Sequence, residues 1–148
     1  MTRTLAFVLS TLLPLTAMAQ DSVKSEDPAM VRPAGDSDLS EFLWTKRPIV
    51  VFSDSPDDPR FDEQMELLSA RMDELETRDV VILTDTDPDA RSTLRTKLRP
   101  RGFMLVLVGK DGGVKLRKPL PWTVREITRT IDKMPMRQRE EQERRGEG

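Results

Sequence analysis

The side chains in this sequence that could do chemistry are carboxylates, gathered in two short loops. Asp54, Asp57 and Asp58 follow one apolar run, and Asp85, Asp87 and Asp89 follow another. Clustered carboxylates are the donor set of hard cations, so Asp54, Asp57, Asp85 and Asp87 form a candidate Ca²⁺ or Mg²⁺ site. The same residues have a structural use. Asp58 and Asp87 each precede a proline at a helix start, where an aspartate accepts a hydrogen bond from the first turn. Residues 85–89 begin like an EF-hand loop, but Ala90 stands where that loop requires Gly and Thr96 where it requires Glu.

Absences narrow the chemistry further. The 148 residues contain no His, no Cys and no Tyr. Ser-His-Asp and Cys-His nucleophile arrangements are excluded, as are the usual zinc sites. An enzyme built from this chain would have to use Asp, Glu, Lys, Arg, Ser or Thr, and no motif implies a cofactor. The Asp-x-Asp of residues 85–87 resembles the opening motif of haloacid-dehalogenase-type phosphatases. That resemblance implies an aspartate nucleophile, a second aspartate as acid–base and Mg²⁺ held by a later acidic motif. Asp111 and Asp132 are the aspartates left to supply the last.

The elements that would position these loops are legible from patterning. Residues 49–52 (IVVF) are an unbroken apolar, β-branched-rich run, which reads as a strand buried on both faces. Asp58 then caps a helix with Pro59 in its first position. Phe61, Met65, Leu68, Met72 and Leu75 recur at spacings of 4, 3, 4 and 3, which predicts one helix over 59–76 with a single apolar face. Residues 79–84 hold a second buried strand. Strand, helix and strand make a right-handed βαβ unit with parallel strands, so both aspartate loops belong at one end of the sheet.

Downstream, Asp87 and Pro88 open a helix to Leu98, with Leu94 and Leu98 facing inward. Residues 103–108 (FMLVLV) and 114–117 flank a Gly-Lys-Asp-Gly-Gly turn, an antiparallel hairpin. Thr123 and Glu126 form a capping box for a last helix that buries Val124, Ile127, Ile131 and Met134 and ends at Pro135. Trp44 and Trp122 read as lids on the core. The order β-α-β-α-β-β-α predicts an α/β, thioredoxin-like sandwich over residues 39–135, opened by a short helix at 39–44. Residues 20–38 read as a flexible linker and 136–148 as a charged tail, frayed or disordered. Residues 1–19 have the charged start, apolar centre and small-residue cleavage site of a signal peptide, with cleavage near Ala19. No later segment is apolar for the length a membrane crossing needs. The expected location is periplasmic or secreted.

The βαβ unit, hairpin and last helix resemble the thioredoxin superfamily. With Phe52 laid on that family's phenylalanine, Asp57-Asp58-Pro59-Arg60 stands where Cys-Gly-Pro-Cys would be. Lys110-Asp111-Gly112 matches the family's Lys-Asn-Gly turn, and its cis-proline falls at about Met104. The resemblance implies the fold without thiol–disulfide exchange, which needs a thiolate. Trp44-Thr45-Lys46-Arg47-Pro48, Asp58-Pro59-Arg60 with Gln64, residues 109–117 and residues 131–137 carry a further resemblance. In these the chain resembles the bacterial secreted domain-of-unknown-function family four-one-seven-four, related to domains of sushi-repeat and coiled-coil-domain matrix proteins. That resemblance implies contact with protein or glycan outside the cell.

Charge is segregated along the chain. Residues 20–90 hold 7 basic and 19 acidic residues, whereas residues 91–134 hold 12 basic and 3 acidic ones. A dipolar surface follows, and with it salt-sensitive self-association into a homo-oligomer. The basic set expected to face an anionic partner is Arg95, Arg99, Arg101, Lys115, Arg117, Lys118, Arg125 and Arg129. The expected function is a redox-inactive binding module that uses Asp57, Asp58, Arg60, Lys115 and Arg117. Its partner would be a protein or an anionic envelope ligand, not nucleic acid. The alternative is a divalent-cation-dependent phosphate-ester hydrolase built on the two aspartate loops.

Overall fold

A computed structural model describes residues 30–146. The predicted signal peptide and most of the predicted linker lie outside the described residues. Five strands, β1 (Val31–Pro33), β2 (Arg47–Phe52), β3 (Val80–Asp85), β4 (Met104–Val108) and β5 (Val114–Lys118), form one sheet in the order β1-β3-β2-β4-β5. β1 and β2 both run parallel to β3, while β4 is antiparallel to β2 and to β5.

The unbroken apolar runs are explained by what covers the sheet. Every residue of β2 is buried. Ile49 and Val51 point to one face, where Leu68 of α1 (Pro59–Ser69), Leu75 of α2 (Met72–Glu76) and Ile127 and Ile131 of α4 (Val124–Asp132) close the core. Val50 and Phe52 point to the other face, against Leu94 and Leu98 of α3 (Thr93–Leu98) and Phe42 of a short 3-10 turn, Ser40–Phe42. At about 1.5–3 kcal/mol per buried aliphatic side chain, these two clusters supply the main stabilisation of a fold that has no disulfide.

The predicted strands, their pairing, the hairpin and the capping box at Thr123 are all present. Several boundaries differ. Within the predicted linker, Val31–Pro33 adds an edge strand to β3, with Ala34 and Leu39 buried behind it. The 59–76 helix is two pieces, because the chain leaves helical geometry at Arg71 (φ −141°, ψ 44°). A 4-3-4-3 periodicity cannot reveal such a break when both pieces bury the same face. The 88–98 helix is also divided. Pro88–Ala90 is a 3-10 turn, Arg91 is left-handed, and Ser92 caps the six-residue α3.

The largest correction concerns the tail. Pro135 does not end the fold; it is the first residue of α5 (Pro135–Gly146), where its missing N–H has no partner to lose. Arg137 of that helix is only 4% exposed. Trp122 is half-buried against the core, as a lid would be, but Trp44 is 65% exposed. Trp44 adopts a left-handed backbone (φ 65°), held by its N–H donating to the Lys110 carbonyl at 2.7 Å.

Candidate functional site

Phe52 lies opposite Asp85 in the β2–β3 register, so the two aspartate loops do emerge side by side. The carboxylates of Asp58, Asp85 and Asp87 are nevertheless engaged locally. Asp58 caps α1, accepting from the Arg60 backbone N–H at 2.9 Å, and Arg60 folds back to donate Nε and Nη2 to the same carboxylate at 3.1 and 2.8 Å. The side-chain hydrogen bond from Arg60, then the backbone one, holds the Asp58 carboxyl below its usual range. In thioredoxin-fold redox proteins this helix start stabilises a thiolate; here a built-in carboxylate and its own arginine occupy it.

Asp85 is 8% exposed and fully partnered. It accepts from Ser92 Oγ, from Arg95 Nε at 2.9 Å and from the Asp87 backbone N–H at 3.2 Å. Arg95 also donates Nη2 to the Ser53 carbonyl at 2.6 Å and lies over the Phe52 ring. This arginine, assigned from sequence to the basic surface, is an internal strut joining the two loops. Asp87 caps the Pro88–Ala90 turn, and Asp54 and Asp57 are exposed. Among the described residues no three acidic side chains converge as a metal-binding group. The four-aspartate cation site is therefore not assembled, and a phosphatase-type reading loses Asp85 as its nucleophile.

The opposite end of the sheet holds what sequence reasoning missed. Arg47, the first residue of β2, is 1% exposed. It donates Nη1 to the Arg78 carbonyl at 3.0 Å and grips Glu140 of α5 with two bonds, at 3.2 and 3.0 Å. Lys110 Nζ reaches the same Glu140 carboxylate and Asp79, both at 2.8 Å. Arg137 adds a contact to Glu140 at 3.4 Å and pairs with Glu141. Arg78 makes a two-pronged pair with Asp132 at 2.9 and 3.0 Å. Burial alone would raise the Glu140 carboxyl, but hydrogen bonds and charge from Arg47 and Lys110 outweigh it and bring the pKa down to about 2.

Beside this network, between the β4–β5 turn and the α4–α5 corner, lies a groove of about 480 Å³. Lys115, Lys133 and Arg139 line it together with Met134, Pro135 and Met136. Lys133 and Arg139 are exposed and make no ion pair among the described residues. Lys115 is paired with Asp111 at 2.9 Å, a bond that holds the Asp111 carboxyl low. Arg117, two residues along β5, is directed elsewhere and donates to the Leu98 carbonyl, bracing the hairpin against α3. Of the two hairpin residues predicted to bind, Lys115 lines the groove and Arg117 does not. Asp57, Asp58 and Arg60 lie at the other end of the sheet, so the predicted binding residues do not form one site.

A family model described as "Domain of unknown function (DUF4174)" matches residues 38–140. The chain belongs to this family. The match runs from before the short 3-10 turn to Glu140 itself, so both ends of the Arg47–Glu140 pair fall within the DUF4174 domain. Among solved structures, the chain is similar to a reduced 2-Cys peroxiredoxin of Plasmodium vivax, with 16% identity over 64% of this chain and 80% of that one, and a TM-score of 0.53. It is also similar to Prx1a of Plasmodium yoelii, described as an N-terminally modified form in an artifactual octamer. There the identity is 19% over 64% and 76% of the two chains, with a TM-score of 0.49. The shared feature is the thioredoxin-like fold, and this member of the DUF4174 family carries it without a cysteine. Among the described residues no helix is long and apolar enough to cross a membrane.

Proposed function

We propose that this DUF4174 domain is a redox-inactive binding module, acting in the periplasm or outside the cell, that holds an anionic partner in the groove at the α4–α5 corner. The observation that carries this reading is the pair of exposed cations, Lys133 and Arg139, which have no ion-pair partner among the described residues. They line the groove with Met134, Pro135 and Met136, while its acidic member, Asp111, is taken up by Lys115. Cations beside an apolar floor suit a carboxylate or phosphate attached to carbon, and about 480 Å³ lies within the range of small-ligand sites. The ion pairs of Arg47 and Lys110 with Glu140 fix α5, and so fix one wall of the groove before any ligand arrives.

The test is binding of the full chain to a glutamate-rich peptide and, separately, to vesicles rich in anionic phospholipid, at low and high salt. Salt-sensitive binding in at least one arm, weakened at least tenfold by Lys133→Glu with Arg139→Glu, is the expected result. Binding in neither arm, or equal binding by the doubly substituted protein, overturns the proposal.

A further inference from the structure

The two edges of the sheet are built differently. β1 closes one of them with three residues, of which Pro33 has no N–H to offer. β5 is the other edge. Among the described residues its backbone hydrogen-bonds only to β4, so the N–H and C=O groups of alternate residues face outward unpaired. None of its five residues is buried, and Val114 at its start and Leu120 just past its end are 42% and 63% exposed. Lys115, Arg117 and Lys118 give the strand three cations and no acid. Arg117 stands opposite Val106 and Lys118 opposite Leu105, so their side chains leave on opposite faces of the sheet. Arg117 donates to the Leu98 carbonyl and Lys118 lies over the Trp122 ring at 4.6 Å, but neither has an ion-pair partner among the described residues.

We propose that β5 takes an extended acidic polypeptide segment as an added strand, and that this segment belongs to the anionic partner held in the groove. The inference deepens the reading of the groove and rests on it. Lys115 joins the two sites, being both the second residue of β5 and part of the groove wall. Each feature of the edge narrows the occupant. A row of free backbone groups is matched by another polypeptide backbone, and a lipid headgroup has no such series to offer. Cations leaving on both faces suit a segment with acidic residues at consecutive positions, because adjacent side chains of a strand also point to opposite faces. Opposite charges across a strand pair stabilise it, and like charges oppose it. A second β5 would set lysine and arginine against lysine and arginine, so the edge disfavours a copy of itself.

The probes are the glutamate-rich peptide, the anionic phospholipid vesicles, and the same peptide methylated at every backbone nitrogen, which keeps the carboxylates and removes the donors. Amide hydrogen exchange of the full chain, followed residue by residue by NMR, reads the edge. At saturating peptide the outward amides of β5 should exchange at least tenfold more slowly, and the methylated peptide should bind at least tenfold more weakly. Peptide binding that Lys133→Glu with Arg139→Glu weakens, but that leaves β5 exchange unchanged, overturns this proposal and keeps the groove. Binding to vesicles alone does the same, and binding in neither arm overturns both. Protection of β5 that persists undiminished in the Lys133→Glu, Arg139→Glu protein overturns the groove reading and the shared site with it. Equal binding of the methylated peptide, or β5 amides already protected in the free protein by a second copy, excludes an added acidic strand.

Discussion

Arg47 occupies a position that the burial pattern of β2 assigns to the core, and its guanidinium is balanced there by Glu140, which meets both of its terminal nitrogens. Removing the charge from Glu140 leaves Arg47 without its carboxylate at the foot of the central strands and Lys110 with Asp79 alone. Breaking such a pair costs more than the pair contributes, since the remaining charge stays desolvated. Glu140→Gln should therefore lower stability by about 2–3 kcal/mol, read as a shift of the urea midpoint at neutral pH. The carboxyl goes from an ordinary 4.5 to about 2 on folding, so its contribution is complete above about 4.5 and vanishes as pH falls through about 2. Over that interval wild type should lose stability faster than the Gln variant, and the gap between them should close. A gap that persists at pH 2 would show that Glu140 acts through packing rather than charge. This residue was illegible in the sequence because its strand partner lies 93 positions away, within a stretch whose alternating charges also describe a solvated tail. Asp85 was misread for the converse reason: an Asp-x-Asp after a strand looks the same whether it awaits a cation or accepts from Ser92 and Arg95.

Elements were legible where pattern and period agree, and boundaries failed where a single residue changes the backbone. The buried runs of β2, β3 and β4 could only be central strands, and the Thr123–Glu126 box could only start a helix. Pro135 was ambiguous, since proline both ends one helix and begins the next. The end of α3 offers a direct test of local chemistry. Arg99 follows Leu98 in the left-handed conformation (φ 49°), its N–H closing back on the Arg95 carbonyl at 2.9 Å. Glycine adopts this geometry without the Cβ penalty, and Arg99 is exposed with little packing to lose. Arg99→Gly should accordingly stabilise the protein by about 0.5–1 kcal/mol, measured as a higher melting temperature. A lower melting temperature would mean that the Arg99 side chain supports the α3–hairpin junction beside Arg117.

For the whole molecule, charge rather than apolar patterning sets the response to solvent. Sequence composition revealed the acidic and basic halves but not their disposition. The fold directs part of each half inward, as Arg47, Arg95 and Asp85, and leaves other charges at the surface, Lys133 and Arg139 in the groove among them. The depressed carboxyls are spread over the molecule. Asp132 is held low chiefly by its hydrogen bonds from Arg78, and Asp38, Asp58 and Asp111 chiefly by side-chain hydrogen bonds from Ser40, Arg60 and Lys115. Each favours folding above the ordinary aspartate range and ceases to do so as protons are taken up below it. With no histidine and no cysteine, no side chain with an ordinary pKa between about 5 and 8 is available to titrate. The melting temperature should therefore form a plateau from about pH 5.5 to about pH 8, then fall continuously below about pH 4 as the lowered carboxyls are neutralised. Thermal unfolding followed by circular dichroism across that range checks both limbs. A step between pH 6 and 7 would require a carboxyl raised by burial that the described ion pairs do not provide. A plateau extending down to pH 2 would mean that the ion pairs around Arg47, Arg78 and Arg60 contribute nothing to folding.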